Sequence, residues 1–229
     1  MILYSAQRKR KILGTIAAFL DHQQPQRQEG LVGGFGFFEV INDFEVCKEL
    51  LDAACEWLRE KSIQMMRGPT NFTDNDNPGV LIEGADCPPV MLEAHTLHYH
   101  KDFQEKYGME KSHDLYAWRA FREQIGEELK NIPPDLLRVA EVARKAAKAK
   151  RLIKLIDIVS FKLLGLLEEY RHRGIDAMLY LEAVKAIYEK GYAWLDGSVC
   201  SEYNPAMNLI TNRLGAERYK QYRIYQMKI

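Results

Sequence analysis

Residues 36–68 recur 129 positions further along the chain. Sliding the first stretch by 129 brings Gly36 onto Gly165, Glu39 onto Glu168, Leu50 onto Leu179, Ala54 onto Ala183, Leu58 onto Ile187, Glu60-Lys61 onto Glu189-Lys190 and Gly68 onto Gly197, without a gap. Glycines, apolar helix-face positions and a charged pair keep one register together, so two copies of one supersecondary unit are expected. After an extra loop in the first copy, Gly108 falls on Gly215, Glu110 on Glu217, Lys111 on Arg218, and Leu115 to Trp118 on Tyr222 to Tyr225. Each copy reads strand, turn, helix, strand, loop, short helix, glycine, strand. A strand that reaches its neighbour through a helix predicts a parallel βαβ step, and the final strands read as antiparallel.

Within the first copy, Ile12 to Leu20 is a β-branched and apolar strand, and Leu31 to Val40 is a second strand whose glycines permit a bulge. Asn42 reads as the N-cap of a helix with Glu45 at N3, and Phe44, Cys47, Leu50, Leu51, Ala54, Cys55 and Leu58 keep helical spacing. Ile63 to Met66 is a short strand. Thr70 to His100 has no counterpart in the second copy. Its turn formers and prolines predict an ordered cover over the sheet, with a strand at Gly79 to Glu83 and Val80 to Ile82 buried. Lys101 to Tyr107 reads as a short helix ended by Gly108, and Leu115 to Phe121 as a strand or the start of a helix. Apolar residues then thin out from Arg122 to Lys150, where Pro133-Pro134-Asp135 start a helix that runs into a basic stretch.

Composition narrows the partners. With 32 basic and 32 acidic residues the formal charge is zero, which gives no global field for nucleic acid or membranes. The basic stretch Arg144 to Lys154 carries no interleaved aromatics and reads as a solvated face. No signal peptide opens the chain and no uncharged run can span a bilayer, so we expect a soluble, cytoplasmic protein. Cys47, Cys55, Cys87 and Cys200 lack paired spacing and read as reduced core residues. His95, His98 and His100 with Glu93 fit neither a zinc finger nor HExxH, so they read as polar loop histidines and no metal is expected.

The stretch from Phe161 to Tyr180 is the candidate site. An apolar strand passes through Glu168 into Arg171-His172-Arg173-Gly174 and then into a helix. A helix start offers unpaired N–H groups and the positive end of the dipole, Gly174 lets backbone approach closely, and the arginines can fork onto phosphate. This is an anion cradle in outline, set against a charged turn before an ordinary helix.

LLGLLEEYRHRGIDAMLYLEA followed by SEYNPAMNLITNRLGA resembles the cofactor half of the GNAT superfamily of acyl-CoA N-acyltransferases. Arg171 to Asp176 stands where such proteins carry an Arg/Gln-x-x-Gly-x-Gly/Ala loop on the acetyl-CoA pyrophosphate, and Asn204 where they often place a cofactor-contacting asparagine. The first copy, through GFGFFEVINDFEVCKELLDAACEWLREK, is similar to the first unit of a bacterial tandem subgroup. The resemblance implies an α/β (α+β) fold of two related units with mixed, centrally parallel sheets flanked by helices. Those units are 1–121, with a degenerate loop, and 151–229, joined by a helical basic connector at 122–150. It implies acetyl-CoA as cosubstrate, held by Leu166, Arg171, His172, Arg173, Gly174, Ile175, Asp176, Ala177 and Asn204. It also implies direct acetyl transfer to a small-molecule or peptide amine.

Departures from the pattern set the alternatives. The third small loop residue is Asp176, a carboxylate that suits an empty helix start but would repel a pyrophosphate it faced. In the first copy the positions of Arg171, Arg173 and Gly174 hold Asn42, Phe44 and Glu45, which excludes phosphate. The tyrosine that many of these enzymes use as general acid falls on Thr211, leaving Tyr203 and Tyr219 as candidate acids and Glu168 as candidate base. A degenerate, non-catalytic binding or assembly module is the alternative function, and a homodimer a possible assembly for an abridged sheet.

Overall fold

The computed structural model describes residues 1–20, 31–73, 76–123, 158–162, 168, 175–213 and 215–229. It opens with a hairpin. Strand β1 (Ile2–Arg8) pairs antiparallel with β2 (Lys11–Leu20), and the two-residue turn Lys9-Arg10 has φ of 49° and 67°. A turn with both central residues in the left-handed region matches the right-handed twist of the strands it joins. β3 (Val32–Val40) pairs antiparallel with β2 through a bulge near Thr15 and Ala17.

Helix α1 (Phe44–Glu60) buries Val46, Cys47, Leu50, Leu51, Ala54, Cys55 and Leu58, the face its periodicity announced. They pack on Ile16, Ala18, Phe35 and Val40 of the strands beneath. Its cap is Asp43 rather than Asn42: the Asp43 carboxylate accepts the Glu45 N–H at 3.1 Å. Both side chains are strong caps, and the chain enters helical geometry one residue later than the capping-box pattern suggests. β4 (Met65–Gly68) follows and pairs parallel with β3, completing the expected crossover.

The inserted segment both joins the sheet and packs on it: one short stretch pairs as a strand, and beyond it the Pro88 carbonyl accepts from Lys220 at 2.8 Å and Glu93 from Tyr222 at 3.0 Å. β5 (Val80–Glu83) is hydrogen-bonded antiparallel to β9 (Glu217–Lys228), with Val80 and Leu81 buried and Ile82 half-buried. The chain then passes through α2 (Tyr99–Tyr107), ended by Gly108 at φ 98°, into β6 (Glu110–Phe121), which is strand throughout. Beyond Glu123 the expected connector and the start of the second copy lie outside the described residues. The second copy resumes with β7 (Ile158–Ser160), α3 (Ile175–Lys190), β8 (Trp194–Ser201) and α4 (Pro205–Arg213).

Two compact units result. The first comprises Met1–Tyr116, Ser201–Tyr203 and Tyr219–Ile229, and the second Ala117–Cys200 and Asn204–Arg218. The first unit has strand order β1-β2-β3-β4-β9-β6, so β9, from the end of the chain, lies between two strands of the first copy. In the second unit the end of β6 lies beside β8, and β7 pairs parallel with β8. A small core of Ala120, Ile187 and Leu195, with Val159, Phe161 and Tyr192 against it, holds that unit.

Helix ends at equivalent positions are built alike. The Ile63 N–H reaches the Leu58 carbonyl at 3.1 Å and the Tyr192 N–H the Ile187 carbonyl at 3.4 Å, with Ser62 and Gly191 at φ 59° and 79°. After α2 and α4, Met109 bonds Gln104 and Ala216 bonds Thr211, both at 3.1 Å. Strand register departs from the offset, however. Val32 faces Met65 but Ile158 faces Trp194, three residues from the Phe161 that a shift of 129 would set there. Among the described residues no helix is long and apolar enough to cross a membrane. None of the four cysteines is disulfide-bonded among the described residues; Cys47 and Cys55 are buried and Cys87 and Cys200 half-buried.

Candidate acyl-CoA site

The point where β7 leaves β8 is fixed by Asp196. This residue is fully buried, its Oδ2 accepts from Ser160 Oγ and lies 3.3 Å from Lys162 Nζ, and its Oδ1 accepts the Ser198 N–H at 3.0 Å. The ladder extends one step further, with the Phe161 N–H on the Asp196 carbonyl at 2.8 Å. A carboxylate engaged on both oxygens anchors the strand end.

Helix α3 starts at Ile175, so Ile175, Asp176 and Ala177 form its first turn, where backbone N–H groups have no intrahelical partner. Leu166, Arg171, His172, Arg173 and Gly174, the remainder of the candidate loop, lie outside the described residues. Asn204 is exposed and caps α4: its Oδ1 accepts the Met207 N–H at 3.2 Å and its carbonyl accepts from Asn208 Nδ2 at 3.1 Å. Its Nδ2 has no partner among the described residues, so a donor remains for a ligand amide. Asn208 is fixed in turn by Trp118, whose Nε1–H reaches its Oδ1 at 3.1 Å.

The start of α1 is already filled. Besides the Asp43 carboxylate on the Glu45 N–H, the Phe44 ring meets Phe103 at 5.6 Å and lies 3.9 Å from Lys106 Nζ. An anion approaching this helix end would meet a fixed negative charge where a bare helix start offers only N–H groups.

The candidate acids and base are dispersed. Glu168 is exposed. Tyr203 is 73% exposed, in the first unit, and donates to the Ser112 carbonyl at 3.3 Å. Tyr219, also in the first unit, is buried and donates to Glu93 Oε2 at 3.3 Å. Thr211 Oγ1 donates within its own helix, to the carbonyls of Met207 and Asn208 at 2.9 and 3.0 Å. Of the histidines, His100 is buried against Phe38 and Tyr99, and burial pulls its pKa down.

Sequence reading missed a buried ionic cluster in the first unit. Asp114 accepts two bonds from Arg223, at 2.8 and 3.1 Å, and one from Gln221 at 2.8 Å, with Lys111 Nζ at 2.9 Å. Glu202 completes it through the Asp114 N–H and Lys111. Asp114 and Arg223 lie 109 positions apart, and no local pattern joins them.

No family model matches the chain. Among solved structures, a tandem GNAT protein from the clavulanic acid biosynthesis pathway matches with a TM-score of 0.58 at 11% identity, over 99% of this chain and 82% of that one. A GCN5-related glucosamine N-acetyltransferase region of a fungal multi-domain protein matches with a TM-score of 0.53 at 14% identity, over 95% of this chain and 32% of that one. The chain has the GNAT fold. Two curated proteins are also similar. Protein YghO of Escherichia coli K12 is 23% identical over 316 residues, covering 98% of this chain and 81% of YghO. That alignment is longer than the chain's 229 residues, so YghO carries internal segments that this GNAT-fold chain lacks. The bacterial ceramide synthase of Caulobacter vibrioides is 36% identical over 119 residues, 52% of this chain and 31% of the synthase. The chain thus spans under a third of that relative's length.

Proposed function

We propose that this chain is an acetyl-CoA-dependent N-acetyltransferase of GNAT type. The contrast between two helix starts carries the reading. The start of α1 is occupied by its own Asp43 carboxylate, whereas α3 begins at Ile175 directly after Arg171-His172-Arg173-Gly174 in the sequence. Two guanidiniums, a glycine and a helix N-terminus suit a pyrophosphate. The residues that would hold it are Arg171, Arg173 and the first-turn amides of Ile175 to Ala177, with Leu166 and Asn204 along the pantetheine arm.

Bound acetyl-CoA supplies an acetyl group activated as a thioester. Transfer forms the amide C–N bond as the C–S bond breaks, the amine proton leaves to a base, and a proton reaches the departing thiolate. Glu168, or water beside it, is the base we assign, and the chain's main contribution is holding the two reactants together. The acceptor class is a small amine. The names of one structural neighbour, a glucosamine N-acetyltransferase region, and of one curated relative, a ceramide synthase, both concern nitrogen acylation, and ceramide carries a long acyl chain. A long-chain acyl-CoA therefore belongs in the test.

Free thiol released from acetyl-CoA or palmitoyl-CoA, with amino sugars and amino alcohols as acceptors, measures turnover. Amine-dependent release that Arg171→Glu reduces about tenfold or more supports the assignment. Binding without release with any amine favours the non-catalytic module, a reading supported by the Thr211 hydroxyl being spent on its own helix. Replacing Asp176 with Gly should tighten acetyl-CoA binding if that carboxylate faces the pyrophosphate.

A further inference from the structure

The first unit contains a cavity of about 350 Å³ that the transferase reading does not use. Its wall is built around an unusual backbone position. Phe37 has φ 46°, a left-handed conformation that a bulky side chain adopts only when its surroundings enforce it. Here two side chains do so: Asn71 Oδ1 accepts the Phe37 N–H at 2.7 Å, and Thr15 Oγ1 donates to the Phe37 carbonyl at 2.9 Å. The outcome is a ring 39% exposed at the cavity, with Phe72 edge-on to it at 5.1 Å and itself 47% exposed.

Glu39 lines the same cavity, two residues along β3. Its carboxylate makes no hydrogen bond or ion pair among the described residues, and burial pushes it above the usual carboxylate range. The neighbouring phenol of Tyr99 cannot serve it, because that hydroxyl donates to the Val40 carbonyl at 2.8 Å. The residue is nonetheless exposed at the cavity and has no counter-charge among the described residues, so its carboxylate is open to a cationic ligand. Aromatic faces beside it favour an organic cation over a metal ion.

The rest of the lining fits hydroxyl groups. Thr96 Oγ1 accepts the Leu81 N–H at 2.9 Å and keeps its own proton to donate. Asn77 Nδ2 is engaged by Asp76 at 3.2 Å, which leaves its oxygen as an acceptor, and His95 has no partner among the described residues. We propose that this cavity binds the primary ammonium group of a small amino alcohol, with Glu39 as counter-ion, the Phe37 ring against its carbon frame, and Asn77, His95 and Thr96 toward its hydroxyls. The site rests on the transferase reading only in making that amine a substrate; the binding stands without it.

Calorimetric titration of the full chain with 2-amino-1,3-propanediol tests the proposal, with glycerol as the uncharged counterpart and acetyl-CoA as a separate arm. The amino alcohol should bind and glycerol should not. Glu39→Gln should weaken amine binding about tenfold or more, and Phe37→Gly, which tolerates the same φ, should weaken it without lowering the thermal midpoint. Absent amine binding, equal binding of glycerol, or an amine affinity unchanged by Glu39→Gln overturns the site, whatever acetyl-CoA does. Amine binding without acetyl-CoA binding keeps the site and removes the transferase reading.

Discussion

Replacing Asp114 with Asn tests how the last strand is held in the first unit. The carboxylate is 3% exposed and takes bonds from Arg223 and Gln221 on β9, while Lys111 lies beside it on β6. Breaking a buried pair by removing one partner typically costs about 3–5 kcal/mol. The Arg223 and Lys111 side chains are 22% and 40% exposed and can regain water, so the lower end, about 3 kcal/mol, applies here. In urea, with a slope of about 2 kcal/mol per molar, the midpoint should fall by about 1.5 M. Arg223→Met combined with Asp114→Asn should cost less than the sum of the single changes, because neither charge is then left buried alone. The pH dependence has a definite sign. Burial raises the Asp114 pKa, but the bonds from Arg223 and Lys111 outweigh it and hold the pKa below its ordinary 3.8. The stabilisation is therefore present above the unfolded value and lost as pH falls through the lower folded value, so wild type and Asp114→Asn should converge in acid. A loss under about 1 kcal/mol, or strict additivity in the double mutant, refutes the reasoning.

Further outcomes follow from other contacts. At Gly68 an added Cβ would lie 2.3 Å from the Phe35 carbonyl, whereas at Gly197 the nearest atom is 3.4 Å away. Gly68→Ala should therefore lose about 2–3 kcal/mol and Gly197→Ala less than about 1, by urea unfolding. Tyr222→Phe removes a 3.0 Å hydrogen bond to the buried Glu93 and should cost about 1.5–3 kcal/mol, with amide exchange rising in β5. Burial pushes the Cys47 thiol up to about 12, so iodoacetamide at pH 8 should label Cys47 only after unfolding, as read by mass spectrometry.

Legibility in the sequence followed locality. Helix α1 was readable because seven buried residues share one face at helical spacing. The hairpin β1–β2 was not, since its turn is Lys9-Arg10 and lacks the Gly or Asn that usually marks two positive φ angles. β6 stayed ambiguous because Asp114, Leu115 and His113 are buried side by side, which erases strand alternation. β5 was anticipated as a strand but not as a partner of β9, a pairing between positions some 140 residues apart. The same limit hid Asp114 with Arg223 and Glu93 with Tyr222. At the candidate site the sequence supplied residue types and the helix start at Ile175, while the cavity beside Glu39 arises only from the Phe37 geometry that Asn71 enforces.

Acetyl-CoA binding stoichiometry tests the central claim most directly. Titrated calorimetrically into the wild-type chain, acetyl-CoA should bind at one site. Arg171→Glu should weaken that binding about tenfold or more and Gly174→Glu abolish it, while Lys148→Glu and Glu45→Lys leave it unchanged. Two equivalent sites, or a single site that Arg171→Glu and Gly174→Glu leave intact, would contradict it.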